Sequence, residues 1–242
     1  MAGRIVIVGA TSGIGLATAR LFHAEGWTVG MAGRREELLA AAKAEMGEGI
    51  HTRRIDVCDE DSSDELLNLI SECDGADVVL IASGFGKQNY SLDMATELKT
   101  MQTNAVGFTR MVDTAYHYFS SAGGGHVAAI SSIAGTKGLG AAPSYSATKR
   151  MQSSYLQALA QLSRMNGAGV SFTDIRPGFV DTDFIKGSGM PMMMSPEKVA
   201  RSIVRAIKAK RRKVVVDWKY SILVFLWKLI PDFIWEHISI RK

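Results

Sequence analysis

The sequence contains few cysteines: only Cys58 and Cys73 occur among its 242 residues, and they form no spaced cluster. Two isolated cysteines argue against a disulfide framework and against a cysteine-based metal centre. They are typical of free thiols in a reducing compartment, and we predict no metal site.

Long apolar runs are also missing. No stretch reaches the roughly 20 predominantly apolar residues that a membrane-spanning helix requires. A strand-like run begins at Arg4, without the charged segment, apolar segment and cleavage site of a secretory signal. We therefore expect an intracellular, cytoplasmic protein.

Net charge is small but unevenly distributed. The formal net charge is +4, and the 47% hydrophobic and 21% charged residues are ordinary for a globular protein. This composition excludes collagen-like, low-complexity and disordered chains. Residues 197–242 hold 12 basic and 4 acidic side chains, so the rest of the chain is net acidic. We expect no nucleic-acid partner, because the surplus lies in an aromatic C-terminal segment that fits an interface or a membrane surface.

Apolar, strand-like runs alternate with helical patterns along the chain, which implies right-handed βαβ units and a parallel sheet covered on both faces. The predicted strands are Arg4–Val8, Trp27–Ala32, His51–Ile55, Asp77–Ala82, His126–Ser131, Val170–Ile175 and Val214–Val216. The predicted helices are Gly13–Glu25, Arg35–Met46, Asp61–Ser71, about Met94–Phe119, Ser144–Arg164 and one that begins at Pro196 behind Ser195 as N-cap. We predict a single doubly wound α/β Rossmann domain with a seven-stranded parallel sheet over residues 1–216. A helical tail should follow over residues 217–242.

A glycine-rich turn joins the first strand to the first helix. It reads Gly9-Ala-Thr-Ser-Gly13-Ile-Gly15. Glycines at such a turn let the backbone approach a pyrophosphate, and the helix N-terminus favours its negative charge. We predict a dinucleotide site formed by Gly9, Thr11, Ser12, Gly13, Ile14 and Gly15.

The end of the second strand predicts which dinucleotide binds. A carboxylate there would bind the ribose 2′-hydroxyl of NAD, whereas an arginine accommodates the 2′-phosphate of NADP. The chain reads Gly33-Arg34-Arg35 and has no acid at this point. We predict NADP rather than NAD, with Arg34 on the phosphate and Arg35 adding to it. The alternative is that both arginines are solvated residues of the next helix.

Three polar residues are expected to meet at the carboxyl edge of the sheet, where open α/β sheets bind ligands. Tyr145 and Lys149 are four residues apart on a helix and share one face. Ser132 ends the fifth strand, thirteen residues before Tyr145. The pKa of a free tyrosine is near 10, and a neighbouring lysine ammonium lowers it. We predict that Tyr145 exchanges a proton with a substrate oxygen that Ser132 orients.

Together these motifs resemble the short-chain dehydrogenase/reductase family over roughly residues 4–216. The resemblance implies that Asn104 helps to hold a water that relays protons to Lys149. It implies that Asp56 caps the adenine amino group and that Val57 packs on the ring. Two departures from the family pattern are Val8, where a Thr is usual, and Ala82-Ser83-Gly84, where most of an Asn-Asn-Ala-Gly motif is replaced. The resemblance also assigns these residues to the cofactor site: Ala82, Ser83, Gly84, Pro177, Gly178, Val180 and Thr182.

The predicted function is therefore an NADP-dependent oxidoreductase that interconverts a carbonyl and an alcohol on a small, apolar substrate. Alternatives are a 3-oxoacyl reductase of the same family, a non-catalytic dinucleotide-sensing module, and a membrane-surface protein whose tail is its main function. The resemblance also implies pairing through the two long central helices, as a homodimer or homotetramer.

Two C-terminal segments bear on the substrate and on partners. Residues of about 182–195 match a substrate lid, and their four methionines offer an adaptable apolar surface or pack the closed lid on the core. The tail combines basic residues with Trp, Leu, Ile and Phe, which fits a helix at a membrane surface. Its run Ile222–Trp227 is apolar all round, which equally fits burial in a dimer interface or against the substrate pocket. We favour burial in a protein interface over peripheral membrane contact.

Overall fold

A computed structural model describes residues 3–181 and 192–238, and its core is one parallel sheet. The strands are β1 Arg4–Val8, β2 Thr28–Gly33, β3 Ile50–Arg54, β4 Val78–Ile81, β5 Gly125–Ile130, β6 Val170–Arg176 and β7 Lys213–Val215. Their order is β3-β2-β1-β4-β5-β6-β7, and every neighbouring pair is parallel. The predicted seven-stranded, doubly wound sheet is confirmed.

Helices connect the strands and continue past β7. They are α1 Gly13–Ala24, α2 Glu36–Met46, α3 Ser62–Glu72, α4 Met94–Met101, α5 Phe108–Ser121, α6 Pro143–Met165, α7 Pro196–Lys208, α8 Trp218–Leu229 and α9 Asp232–Trp235. The predicted start of α7 is confirmed, because the Ser195 hydroxyl accepts a hydrogen bond from the Lys198 amide at 3.2 Å and Pro196 is the first helical residue.

Two apolar layers cover the two faces of the sheet. Phe22 of α1 and Ile203 of α7 belong to one layer, and Leu66 of α3 and Met111 of α5 belong to the other. The strands between them are buried on both sides, so their side chains are apolar without alternation. Helices on both faces leave only the edges of the sheet open to a ligand.

The strand order reverses between β1 and β4, and this reversal positions the site. β1 begins the first half of the sheet and β4 the second, so their connections leave in opposite directions and open a crevice beyond their carboxyl ends. Val8 pairs with Ile81 in the register of the two strands. The glycine turn after β1 and Ala82-Ser83-Gly84 after β4 therefore lie side by side.

The long helix expected over about Met94–Phe119 is not regular. A π-helical segment, Gln102–Gly107, separates α4 from α5. A Cβ atom on Gly107 would lie 2.7 Å from the main-chain oxygen of Val57, so the glycine permits close packing against the loop after β3. A π segment adds a residue to one turn and is frequent at functional sites. Here it carries Asn104.

The tail is helical, as predicted, and consists of α8 and α9. No helix within residues 3–181 and 192–238 has the length and apolar character needed to cross a membrane. Tyr220 and Val224 of α8 are buried against the protein's own core, whereas most other apolar side chains of the tail are exposed. The run that looked apolar all round thus has a packed side and an open side.

Candidate active site

The glycine turn has a backbone that other residues would not accommodate. Gly9 has a φ of +96°, and a Cβ atom there would lie 2.5 Å from the main-chain nitrogen of Ser83. A Cβ on Gly15 would lie 2.1 Å from the Gly9 oxygen. These contacts explain the glycines: they bring the start of α1 against the ends of β1 and β4. The turn fits a dinucleotide pyrophosphate because its three glycines carry no side chain and let the backbone come close to a ligand in the crevice.

The start of α1 is left open to an anion. The first amide groups of a helix have no partner inside it, and the Ser12 side chain at the N-cap accepts no hydrogen bond from them. Ser12 and Thr11 are instead held by Arg35, whose Nη2 donates to the Thr11 hydroxyl at 2.8 Å and to the Ser12 hydroxyl at 2.7 Å. Arg35 therefore adds a positive charge directly over the turn.

Arg34 lies at the other side of the same crevice. Its Nη1 is 3.8 Å from Oδ2 of Asp56, and its side chain is largely exposed. The Asp56 carboxylate also accepts a hydrogen bond from the Cys58 amide at 3.1 Å. Arg34 is thus drawn toward the position predicted for adenosine, and β2 presents no acid there.

Ser132, Tyr145 and Lys149 meet at the carboxyl end of β5. Ser132 begins a short 3₁₀ turn, Ile133–Thr136, and its Oγ accepts a hydrogen bond from the Ala134 amide at 3.1 Å. Tyr145 and Lys149 occupy successive turns of α6, with the Lys149 Nζ 5.7 Å from the centre of the Tyr145 ring. The predicted three-residue set is thus assembled on one side of the cleft.

Burial shifts the pKa of both titratable members of this set. It raises the pKa of Tyr145 to about 12, against the effect of a hydrogen bond with Ser132. It lowers the pKa of Lys149 to about 8, against the attraction of Asp174. The expected lowering of the tyrosine pKa by lysine is not seen: burial raises the Tyr145 pKa, because it disfavours the charged form of the group.

Lys149 is held by a residue that the sequence analysis did not identify. Its Nζ donates to the Ile130 carbonyl at 2.9 Å and to Oε1 of Gln152 at 3.0 Å. Nε2 of Gln152, which is fully buried, donates to the main-chain oxygen of Asn104 at 2.8 Å. The only signal in the sequence was the position of Gln152, three residues after Lys149 on the same helix.

The Asn104 side chain is occupied with structural contacts. Its Oδ1 accepts from the Phe85 amide at 2.8 Å, and its Nδ2 donates to the Phe85 carbonyl at 2.6 Å and to the Thr148 hydroxyl at 3.2 Å. These bonds tie the π segment to the loop after β4 and to α6. Asn104 reaches Lys149 only through its main-chain oxygen and Gln152.

Ser131 takes no part in the set, as the sequence analysis anticipated. Its hydroxyl is buried and donates to Asp174, whose other oxygen accepts from Nε of Arg176 at 2.8 Å. Both serines line the cleft, but the Ser131 hydroxyl is engaged with Asp174, so Ser132 is the serine that belongs to the set.

A single cleft of about 2200 Å³ connects the glycine turn to Tyr145. Asn104 lies behind its wall, and Thr182, with most of the expected lid (182–191), falls outside the described residues. Every other predicted site residue lines the cleft: Gly9, Thr11, Ser12, Gly13, Ile14, Gly15, Arg34, Arg35, Asp56, Val57, Ala82, Ser83, Gly84, Ser132, Tyr145, Lys149, Pro177, Gly178 and Val180.

The tail forms part of the same cleft, which the sequence analysis considered only as one option. Trp227 of α8 and Trp235 of α9 line it beyond Tyr145. The indole Nε1 of Trp235 donates to the Gly138 carbonyl at 2.6 Å, and Nζ of Lys137 donates to the Ile230 carbonyl at 2.8 Å and to Asp232. These bonds fasten the tail to the loop between Ser132 and Tyr145.

Tyr220 fastens the other end of the tail to residues 177–180, part of the segment after β6 that the family resemblance assigns to the cofactor site. Its hydroxyl accepts from the Phe179 amide at 3.1 Å and donates to the Met192 carbonyl at 3.0 Å. A Cβ on Gly178 would lie 2.2 Å from the Tyr220 ring, so glycine is needed there for the ring to fit. The tail thus touches the cleft both beside Gly178 and beyond Tyr145.

Comparisons with known proteins agree with this architecture. Residues 4–190 match the sequence model of the family described as short chain dehydrogenase. An uncharacterized oxidoreductase of Mycobacterium tuberculosis is 29% identical over 241 residues, which cover 94% of each chain. Serine 3-dehydrogenase of Agrobacterium fabrum is 34% identical over 192 residues, covering 76% of this chain and 74% of the relative.

Solved structures give the same result. A short chain dehydrogenase/reductase family protein superimposes with a TM-score of 0.75 at 25% identity, over 88% of this chain and 95% of the other. A 3-ketoacyl-(acyl-carrier-protein) reductase of Brucella melitensis, complexed with NADH, superimposes with a TM-score of 0.79 at 19% identity, over 89% and 96%. The second likeness concerns the fold alone.

Proposed function

The chain belongs to the short-chain dehydrogenase family, whose members are NAD(P)-dependent dehydrogenases and reductases, and from that premise we propose a more specific function. The protein is an NADP-dependent oxidoreductase that interconverts a carbonyl and an alcohol on an apolar substrate. The observation that carries the proposal is the convergence of Ser132, Tyr145 and Lys149 at one end of a cleft whose other end is the glycine turn.

Each residue of the set has a chemical task. Bound NADPH supplies the hydride for carbonyl reduction, and oxidised NADP accepts it in the reverse direction. The Tyr145 hydroxyl donates a proton to the substrate oxygen in reduction and removes it in oxidation. The Ser132 hydroxyl donates a hydrogen bond to the same oxygen and fixes its position. Lys149, 5.7 Å from the ring centre, stabilises the phenolate that Tyr145 becomes after giving up its proton.

The pKa values of the buried pair support this division of labour. With a pKa of about 12, Tyr145 keeps its proton at neutral pH and is ready to act as an acid. With a pKa of about 8, Lys149 is mostly protonated at pH 7 and retains the charge that the phenolate needs. Raising the pH through 8 removes that charge, so we expect reduction to weaken on the alkaline side.

The two arginines that follow β2 support the proposal that the cofactor is NADP rather than NAD. Arg35 sits over the glycine turn through Thr11 and Ser12, and Arg34 faces the same crevice beside Asp56. Two guanidinium groups without a competing acid on β2 suit a 2′-phosphate, since arginine binds phosphate with paired hydrogen bonds.

An apolar substrate is supported by the far end of the cleft. Trp227 and Trp235 line it together with Leu139 and Ile238. Aromatic and aliphatic walls bury apolar surface, with Ser132 and Tyr145 as the polar groups that fix orientation.

The experiment is a panel of carbonyl substrates, from polar hydroxy-aldehydes to long-chain ketones and 3-oxoacyl thioesters, run with NADPH and NADH in parallel. We expect turnover of apolar members, with kcat/KM favouring NADPH. Turnover confined to 3-oxoacyl thioesters would replace the proposal with that narrower reductase. Tight cofactor binding without turnover of any member would contradict catalysis and favour a dinucleotide sensor.

Self-association is part of the proposal. The family resemblance implies pairing through the two long central helices, which are α4 with α5 and α6, and Leu98, Met101 and Val106 form exposed apolar surface on α4 and the π segment. Sedimentation equilibrium is expected to give a dimer or tetramer of the 26.2 kDa chain. A monomer at micromolar concentration would contradict this part.

A further inference from the structure

One side of the tail is apolar and exposed. Along α8 the exposed side chains recur every three or four residues, which is the spacing of one helix face. They are between 50% and 69% exposed, whereas Tyr220 and Val224 on the opposite side are buried. We call this surface the outward strip; it consists of Trp218, Ile222, Phe225, Leu226, Leu229 and Phe233.

Positive charge borders the outward strip on both sides. At 100° per residue, Lys219 and Lys228 lie at opposite edges of the strip, and both are exposed. Lys228 adds to a group that is mostly cationic: the pKa of Lys213 is lowered by burial, then by Arg176, Lys228 and Arg212, and Asp174 opposes them. The strip is therefore an apolar band between two basic margins.

The outward strip leads to the mouth of the cleft. Trp227 and Trp235 lie on the inner side of the same two helices and line the cleft. Ile238, three residues after α9 ends, lines the cleft and is itself partly exposed. A surface that covered the strip would thus lie next to the opening that leads to Tyr145.

We propose that the outward strip docks the protein on an anionic membrane surface, with α8 and α9 lying in the plane of the interface and the cleft mouth facing the bilayer. Helices of this kind bury an apolar face at the boundary between headgroups and acyl chains. Lys219 and Lys228 reach from the margins toward lipid phosphates, because long basic side chains bury their stems and keep their charge in the polar layer.

The charge pattern favours a membrane over a second copy of the chain. A two-fold interface through the strip would bring the same basic margins together from both copies. Residues 217–238 contain three acids, and two of them are already paired: Asp217 with Lys198 and Asp232 with Lys137. Little negative charge is left there to neutralise a doubled set of lysines, whereas an anionic bilayer supplies it.

Docking would also decide how substrate arrives. With the cleft mouth against the bilayer, a lipid-soluble carbonyl or alcohol reaches Tyr145 without passing through water. This consequence rests on the proposed function, but the docking itself does not.

The test is cosedimentation of the full chain with vesicles of phosphatidylcholine alone or of phosphatidylcholine with phosphatidylglycerol. We expect binding to the anionic vesicles that is at least about tenfold tighter and weakens as salt is raised. The double substitution Phe225→Glu with Leu229→Glu should lower anionic-vesicle binding by at least about tenfold, because it places charge in the apolar band. The control is Leu67→Glu, an exposed leucine on α3, which should bind like wild type.

Each result has a defined meaning. Wild type that binds neither vesicle, or a double variant that binds as wild type does, would overturn the proposal. Equal binding to both kinds of vesicle would overturn the proposal that the membrane must be anionic. If wild type binds no vesicles and the double substitution lowers the molar mass of the assembly in sedimentation equilibrium, the outward strip is a contact between copies of the chain. Circular dichroism and NADPH binding check that each variant is folded, and failure of the carbonyl panel would leave the vesicle result intact.

Discussion

In the proposed mechanism, Lys149 is the residue whose charge supports proton exchange by Tyr145 near neutral pH. Burial alone would leave the ammonium unstable, and two acceptors, the Ile130 carbonyl and Oε1 of Gln152, offset that cost. The Tyr-x-x-x-Lys spacing predicted that tyrosine and lysine share a helix face. It could not predict Gln152, because a glutamine in a helix is ordinary until its amide is seen between Lys149 and the Asn104 carbonyl.

Gln152 is a positioning residue for Lys149, and substituting it should change catalysis in a pH-dependent way. Gln152→Leu removes an acceptor from a buried ammonium, so the pKa of Lys149 should fall further below about 8. We expect kcat to drop about tenfold or more, with the alkaline limb of the pH profile moved to lower pH. The measurement is kcat and KM against pH. Gln152→Glu keeps an acceptor for Lys149 and should retain much of the activity that Gln152→Leu loses. The control is Gln157→Leu, on an exposed part of α6, which should leave kcat and its pH profile unchanged. A Gln152→Leu variant with an unshifted pH profile would show that Gln152 only packs.

Arg34 and Arg35 should separate in their effects on the cofactor. Arg34→Ala should weaken NADPH binding roughly ten- to a hundredfold and leave NADH binding unchanged, since Arg34 is expected to bind the 2′-phosphate that NADH does not have. Arg35→Ala should weaken both, because Arg35 also holds Thr11 and Ser12 of the glycine turn. Titration of protein fluorescence with each cofactor measures this. Arg54→Ala, an exposed arginine paired with Asp59, is the control; weaker NADPH binding there too would point to general charge rather than to a specific bond with the phosphate.

His126 should make the free energy of unfolding decrease as the pH is lowered below 6.5. Burial, with repulsion from Lys210, lowers its pKa from 6.5 to about 4. Between these values the unfolded chain binds a proton that the folded protein does not, so stability falls as the pH drops from 6.5 to 4, by up to about 1.4 kcal/mol per pH unit. The imidazole Nε2 donates to the Thr173 hydroxyl at 2.8 Å, since that hydroxyl is already donating to the Arg211 carbonyl. Urea unfolding of His126→Gln across this range should show a shallower slope, and exposed His117→Gln should keep the wild-type slope.

At the scale of elements, periodicity predicted the strands and helices because it depends on which residues face the core. The seven strands and their parallel pairing were predicted, and no strand end differs by more than one residue. The π segment was not predicted; it packs through Gly107 against Val57, fifty residues away, a contact that no local sequence pattern reveals. The docking of α8 and α9 beside the cleft depends likewise on long-range bonds from Lys137 and Tyr220.

Trp235 should couple the tail to the substrate half of the cleft. Trp235→Phe removes the bond to the Gly138 carbonyl, which is exposed and can accept from water instead, so the cost is about 1 kcal/mol. We expect faster hydrogen exchange in residues 217–238 and a raised KM for an apolar substrate, with cofactor binding unchanged. Trp218→Phe is the matched control, because Trp218 is exposed on the outward strip. Equal exchange and KM in both variants would mean that Trp235 is not a fastening point.

At the scale of the whole molecule, the tail links two surfaces that are separate in the linear sequence. Its inner side completes the cleft, and its outer side carries the outward strip with the basic margins. The charge count located the basic surplus in the C-terminal part, but only the fold shows that Lys219 and Lys228 flank one apolar band. One side of the tail packs on its own chain. Burial of the tail in a protein interface stays a prediction, which the vesicle and sedimentation experiments test against membrane docking.

The central claim is that Tyr145 exchanges a proton with the substrate oxygen, and one substitution tests it most directly. Tyr145→Phe keeps the ring and removes only the hydroxyl, so NADPH should bind with a Kd within about twofold of wild type. Single-turnover reduction of the best substrate in the panel should slow by roughly 10²- to 10⁴-fold, the usual contribution of a general acid. A variant that binds NADPH normally and reduces that substrate at close to the wild-type rate would contradict the account.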